Sequence, residues 1–215
     1  MEATFCFVDL AGFTALTEAH GDHAAADLIA RFGAIVEGAL EGEAAVVDMI
    51  GDAAFLVSEM PEGAIGSVAR IFERAQLESD FPALRAGLHH GDAVLRGDRW
   101  IGTAVNVAAR VAGQARGGQI LATAVVAARA AARGIATSPL GAVALRNLVE
   151  PVELFSVELG ALSRGSTVID PVCRMSVVPG ATSGHLRFDD RDFWFCSLEC
   201  VVRFASAPSV YAAAR

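Results

Sequence analysis

A chain of 215 residues, 53% of them apolar, has material for one large domain or for a medium and a small one. Its net charge of −8 argues against a nucleic-acid binder, which normally carries a basic face. All 17 of its Lys-plus-Arg residues are arginine, so any role for lysine is filled by arginine or lost. No uncharged apolar stretch reaches the length of a membrane span, and Glu2 and Asp9 interrupt the only early apolar run, so a cytoplasmic protein without a leader is expected. The four cysteines then read as thiols or metal ligands before structural disulfides.

The first element is a short buried strand, Thr4 to Val8, which delivers an acid, Asp9, and turns through Gly12 into a helix. An acid at the end of an apolar strand is costly unless it is solvated or paired with a cation. The helical pattern that follows places Leu28, Ile29, Phe32, Ile35, Val36 and Leu40 at three- and four-residue intervals. His20-Gly21-Asp22 reads as a break between two helices, with Asp22 as an N-cap, and His20 and His23 read as solvent-facing helix histidines. Residues 45–58, AVVDMIGDAAFLVS, read as two strands around a Gly51-Asp52 turn. If that hairpin lies beside the first strand, Asp9 and Asp52 face each other. Two such carboxylates suit a hard divalent cation, most naturally Mg²⁺.

Pro61 opens a helix with Ile65, Val68, Ala69 and Phe72 on one side. Leu84 to His90 is a strand that His89 and His90 simply terminate, and Gly97-Asp98 is a turn. A helix from Gly102 to Ala112 projects Asn106 and Arg110 from one face. Gln119 to Thr123 is a strand, an Ala-rich helix follows to Ala132, and Val143–Arg146 with Val152–Val157 form a closing pair of strands. This order gives an α+β fold with a ferredoxin-like βαββαβ core, an antiparallel sheet and helices on one face. The division expected is residues 1–159, a small polar linker over 160–169, and a separate unit over 170–215. Fewer than about fifty residues bury too little surface to be comfortably stable alone, so the last unit needs a staple.

FVDLAGFT, MIGDAAFLV and IGTAVNVAAR, in that order, resemble the two metal segments and the Asn/Arg helix of the class III adenylate and guanylate cyclases. The resemblance covers residues 3 to 158. It implies conversion of ATP or GTP to the 3′,5′-cyclic nucleotide and pyrophosphate with two Mg²⁺ or Mn²⁺ ions per site. Asp9, Asp52 and the backbone carbonyl of Leu10 would hold the metals. Asn106 would orient the ribose, Arg110 would meet the charge on the α-phosphoryl group, and Arg146 would take the terminal phosphates. Each site would form between two copies in a head-to-tail homodimer. The positions that read adenine in the family hold Asp48 and Arg99 here, which leaves adenine against guanine open. The other reading is a nucleotide-binding or metal-sensing protein without turnover.

The last unit is similar to a YHS domain, one of the TRASH-type metal-binding modules, through Asp170-Pro171-Val172-Cys173, the run Phe193 to Ser197, and Cys200. Cys173, Cys196 and Cys200 suit Zn²⁺ or another soft ion, with His185 between them as the fourth ligand. Metal or redox state in this unit would regulate the cyclase. Cys6 is left as a small buried residue.

Overall fold

The computed structural model describes residues 1–159 and 167–213. Most of the expected linker, residues 160–166, lies outside the described residues. The core is a seven-stranded sheet of β1 (Glu2–Leu10), β2 (Ala45–Ile50), β3 (Ala53–Ser58), β4 (Leu84–Asp92), β7 (Ile120–Thr123), β8 (Ala136–Val143) and β9 (Val152–Glu158). Their spatial order is β2-β3-β1-β4-β7-β9-β8, which contains the ferredoxin-like order. The sheet is mixed, because β4 and β7 run parallel while the other pairs are antiparallel. A separate hairpin, β5 (Val94–Arg96) and β6 (Arg99–Ile101), turns at Gly97-Asp98.

Central β1 alternates between two apolar faces. Cys6, Val8 and Leu10 point toward α1 (Phe13–Ala39), α2 (Pro61–Leu77) and α4 (Ala124–Ala132), whose apolar stripes close the main core. Phe5 points the other way, toward Phe55 and the small residues Ala104 and Ala108 of α3 (Thr103–Gln114). Val107 and Val111 of α3 also cover Leu121 and Leu154 on that face. Helices therefore lie on both faces, not on one. Gly87 explains the close approach of α3: a Cβ there would fall inside the backbone of Ala112.

Two local expectations change. The closing strand is β8, residues Ala136–Val143, not Val143–Arg146. Its signal was hidden because it is an exposed edge strand with a bulge between Pro139 and Gly141, where proline is tolerated and alternation is not required. Leu145 instead turns into the cluster beneath α3. The α1 pattern breaks at Gly21, as its sequence suggested, but as a kink within one helix (φ 83°, ψ 171°).

The C-terminal module contains β10 (Val168–Ile169), β11 (Ser176–Val177), the hairpin β12 (Gly184–Phe188) and β13 (Arg191–Phe195), α5 (Leu198–Ser206) and α6 (Pro208–Ala213). Asp189 and Asp190, both left-handed, make the two-residue turn. Phe204 is its hub, with ring centroids 4.8 Å from Phe193 and 5.2 Å from Phe195. This small core is not closed on itself. Val172, Cys173, Met175 and Val177 join the buried cluster of α1 and α2, and Met175 bridges to Pro82. No helix among the described residues is long and apolar enough to cross a membrane.

Candidate functional site

Asp9, next to last in β1, lies directly opposite Ala53 of β3 and Arg85 of β4. Neighbouring β3 starts just after the Gly51-Asp52 turn, so the strand pairing brings the two acids to one end of the sheet. Leu10 N–H donates to the Asp52 carbonyl at 3.2 Å and ties the two segments together. Arg85 donates from Nε to Asp9 Oδ2 at 2.7 Å and forms an ion pair with the same oxygen through its second nitrogen. The other oxygen, Asp9 Oδ1, is buried and accepts no hydrogen bond. Burial pushes the Asp9 carboxyl up to about 6, against the pull of Arg85 and with a further push from Asp52. A buried acceptor left without a donor costs free energy. A divalent cation between Asp9 and Asp52 would meet that oxygen, so the residues present fit one.

Arg85, bound to Asp9, is a candidate site residue that reading the sequence missed. The available signal was a lone charge inside the strand LRAGLHH, in register with Asp9.

Asn106 and Arg110 both lie on α3, and Arg110 draws the backbone of Arg146 to them. Arg110 Nε donates to the Arg146 carbonyl, and its Nη1 donates to the Asn106 carbonyl at 3.0 Å. The side chains of Asn106 and Arg146 are exposed. Asp48 is exposed on β2 and pairs with Phe55, which itself pairs with Phe7 of β1. Asp48 thus shares a sheet face with the stacked rings of Phe7 and Phe55, whose centroids are 4.7 Å apart. Arg99 is exposed on β6, opposite Arg96. Among the described residues, no hydrogen bond or ion pair joins Asp48 to Arg99.

His89 and His90 have structural partners. His89 Nδ1 lies 2.9 Å from Thr123 Oγ1, and burial lowers its pKa to about 4. His90 Nδ1 lies 2.8 Å from Thr4 Oγ1. Cys6 is fully buried, and burial pushes its thiol up.

The three C-terminal cysteines converge. Cys196 Sγ lies 3.3 Å from Cys173 Sγ and 3.7 Å from Cys200 Sγ. His185 is not with them: its Nε2 lies 2.8 Å from Asp192 Oδ1, and its ring stacks on Trp194 with centroids 4.1 Å apart. Facing Trp194 across the β12–β13 hairpin holds it away from the sulfurs. The histidine that does approach is His20 of α1, with Nε2 at 3.5 Å from Cys196 Sγ and 3.8 Å from Cys200 Sγ. It is thus not the solvent-facing residue expected; His23 is exposed. Hydrogen bonds from Cys173 and then Cys196 pull the Cys200 thiol down to about 2.

No family model matches the chain. It is 34% identical over 169 residues to a pH-sensitive adenylate cyclase of Mycobacterium tuberculosis, an alignment covering 77% of this chain and 43% of that protein. The chain thus spans less than half the length of the curated relatives it matches. Among solved structures, an adenylate cyclase from Trypanosoma brucei in its monomeric state superposes with a TM-score of 0.68 at 21% identity, covering 77% of this chain and 92% of that one. An adenylate/guanylate cyclase/hydrolase from Silicibacter pomeroyi superposes with a TM-score of 0.64 at 23% identity, covering 74% and 96%. The fold of the larger part of the chain is that of adenylate and guanylate cyclase domains.

Proposed function

We propose that the chain is a nucleotide cyclase that closes ATP or GTP to the 3′,5′-cyclic nucleotide. The observation that carries this is the acid pair: Asp9 Oδ1, buried and unpartnered, beside Asp52 at the end of a cyclase-like sheet. In the reaction the ribose 3′-oxygen bonds to the α-phosphorus. The bond from that phosphorus to the bridging oxygen breaks, pyrophosphate leaves, and the hydroxyl proton passes to solvent. Asp9 and Asp52, with the backbone carbonyl of Leu10, would hold Mg²⁺ or Mn²⁺. When bound, such ions lower the pKa of the attacking hydroxyl and neutralise the triphosphate.

The chain's own side chains do the rest. Arg85 fixes the Asp9 carboxylate through Oδ2 and leaves Oδ1 for the cation. Asn106 holds the ribose in line for attack. Arg110, released from the Arg146 and Asn106 carbonyls, meets charge growing on the α-phosphoryl oxygens, and Arg146 takes the terminal phosphates. Asp48 and Arg99 line the base edge. An acid there matches the N–H donors of guanine, and an arginine matches the acceptors of either base.

Two copies arranged head to tail give two sites, with Asp9 and Asp52 from one copy and Asn106 and Arg110 from the other. The partly exposed Phe7, Val47 and Val57, on the acid-bearing face beside α3, support a second copy seated there. The C-terminal module, YHS-like in its cysteine pattern, acts as a regulatory unit, and the whole works in the cytoplasm. Product analysis of purified full-length protein with Mn²⁺ and ATP or GTP tests the activity. Cyclic nucleotide and pyrophosphate in equal amounts from at least one substrate are expected. No product from either, with the protein folded, would overturn the reading.

A further inference from the structure

Chemistry-bearing residues outside the acid pair concentrate in one place. Cys173, Cys196, Cys200 and His20 each offer a ligand atom, and the four atoms lie within 4.8 Å of one another. From these positions we infer a Zn²⁺ site shared between helix α1 and the C-terminal module, with His20 rather than His185 as its fourth ligand.

The distances fit. Zinc–sulfur bonds of about 2.3 Å place two sulfurs of a tetrahedron roughly 3.8 Å apart, and a sulfur and an imidazole nitrogen roughly 3.6 Å apart. Two of the three sulfur pairs are 3.3 and 3.7 Å apart and two of the three sulfur–nitrogen pairs 3.5 and 3.8 Å, while the remaining two pairs lie within 4.8 Å. Three thiolates and one imidazole are also the donor set that suits this borderline ion.

The ligands are held by backbone that is already fixed. Buried Asp170 accepts from Val172 N–H at 2.8 Å and Cys173 N–H at 3.4 Å with one oxygen, and from Cys196 N–H at 2.8 Å with the other. One carboxylate thereby locks the two segments that carry Cys173 and Cys196. Ser197 caps α5, its Oγ accepting from Cys200 N–H at 3.2 Å, which turns the third cysteine inward. On the other side, His20 is the last residue before the Gly21 kink of α1. A groove lined by His20, Glu78, Met175, Val177, Cys196 and Ser197 gives an ion a way in.

A shared site also answers how so small a module is held. Its own core is a few aromatic rings, and a metal bound by α1 would fasten it to the larger body. At the other end of the same helical stretch, Arg174 packs its side chain over Gly12. Phe13 to His20 is two helical turns, about 10 Å, so the module grips both ends of one rigid segment. The inference stands without the cyclase reading, since none of these four residues belongs to the proposed active site.

The test is metal content of full-length protein purified under reducing conditions, with Co²⁺ substitution as the spectroscopic probe. One zinc per chain and the visible bands of tetrahedral, thiolate-bound Co²⁺ are expected. His20→Ala should weaken zinc binding by at least about tenfold, the loss typical of even an outer-shell change. His20→Cys should restore tetrahedral binding with stronger sulfur-to-cobalt absorption, and His185→Ala should bind like wild type. Unchanged affinity in His20→Ala, loss in His185→Ala instead, or metal-free protein with a Cys173–Cys196 disulfide would each overturn the site.

Discussion

The stretch from Asp9 to His20 touches two candidate cation sites of opposite character. At its start, Asp9 and Asp52 offer hard oxygens at the rim of the sheet, and one of those oxygens has no partner. At its end, His20 meets three sulfurs. The acid pair is assembled from neighbouring strands, so pairing alone positions it. The sulfur cluster is assembled across 180 residues, from a helix kink and a hairpin-and-helix module. In the proposed cyclase the first site takes its Asn and Arg from a second copy. The second is completed by the chain itself. A ligand-poor site open to a partner suits turnover, and a closed four-ligand site suits structure.

The sharpest way to break this contrast is to remove the acids. Asp9→Ala and Asp52→Ala should each bring cyclisation to background while circular dichroism stays native, because the acids serve the cations and not the core. Normal product formation by either variant would remove that assignment. Asn106→Ala and Arg110→Ala come next, with a fall in kcat of about 10²–10³ and little change in KM, the size expected for an oriented donor. A change confined to KM would make them binding residues only.

These expectations show what was readable in the chain. The βαββαβ order, the Asp9 and Asp52 turns and the Asn106/Arg110 helix face were legible because each depends on local spacing. The side of the sheet that α3 covers was not, since an amphipathic stripe says that a face is buried but not against which surface; Gly87 was the only hint. Edge strand β8 hid because solvent exposure removes the alternation that marks a strand. His20 could not be separated from any other helix histidine, because its partners lie in a distant module. His185 misled through proximity in sequence to the cysteines, while the hairpin register turned it toward Trp194 and Asp192.

A pH profile sharpens the acid side. Asp9 is raised to about 6 by burial, with Arg85 opposing. Above that pH the carboxylate is ionised and free to hold a cation; below it, protons compete. Apparent Mn²⁺ affinity should therefore fall by about tenfold per pH unit below pH 6. The stability linkage has the opposite sense: the native state takes up a proton more readily than the unfolded one, so stability falls as pH rises from about 4 to about 6. Arg85→Gln removes the opposing charge and should move the metal-binding midpoint upward. A midpoint that stays in place would take Arg85 out of this role.

The smallest expected effect lies where the two regions touch. Gly12 has φ +82° and lies under the Arg174 side chain. Gly12→Ala should cost about 1–2 kcal/mol for the left-handed backbone alone, with more for the collision. Arg174→Gly in the same chain, which removes the Cβ as well as the Cγ that meet the new methyl, should return the collision part and leave the backbone part, a coupling visible in a double-mutant cycle of thermal melts. Strict additivity would mean that the module does not press on this loop.

The most direct measurement mixes two inactive proteins. Asp9→Ala lacks the metal half of the site and Asn106→Ala lacks the ribose half. After denaturation, mixing and refolding, random pairing puts half the dimers in the mixed form, each with one intact site of two. Activity should then return to about a quarter of wild type. A mixture no more active than its parents, beside an active wild type treated in the same way, would contradict a site built between two copies of this chain.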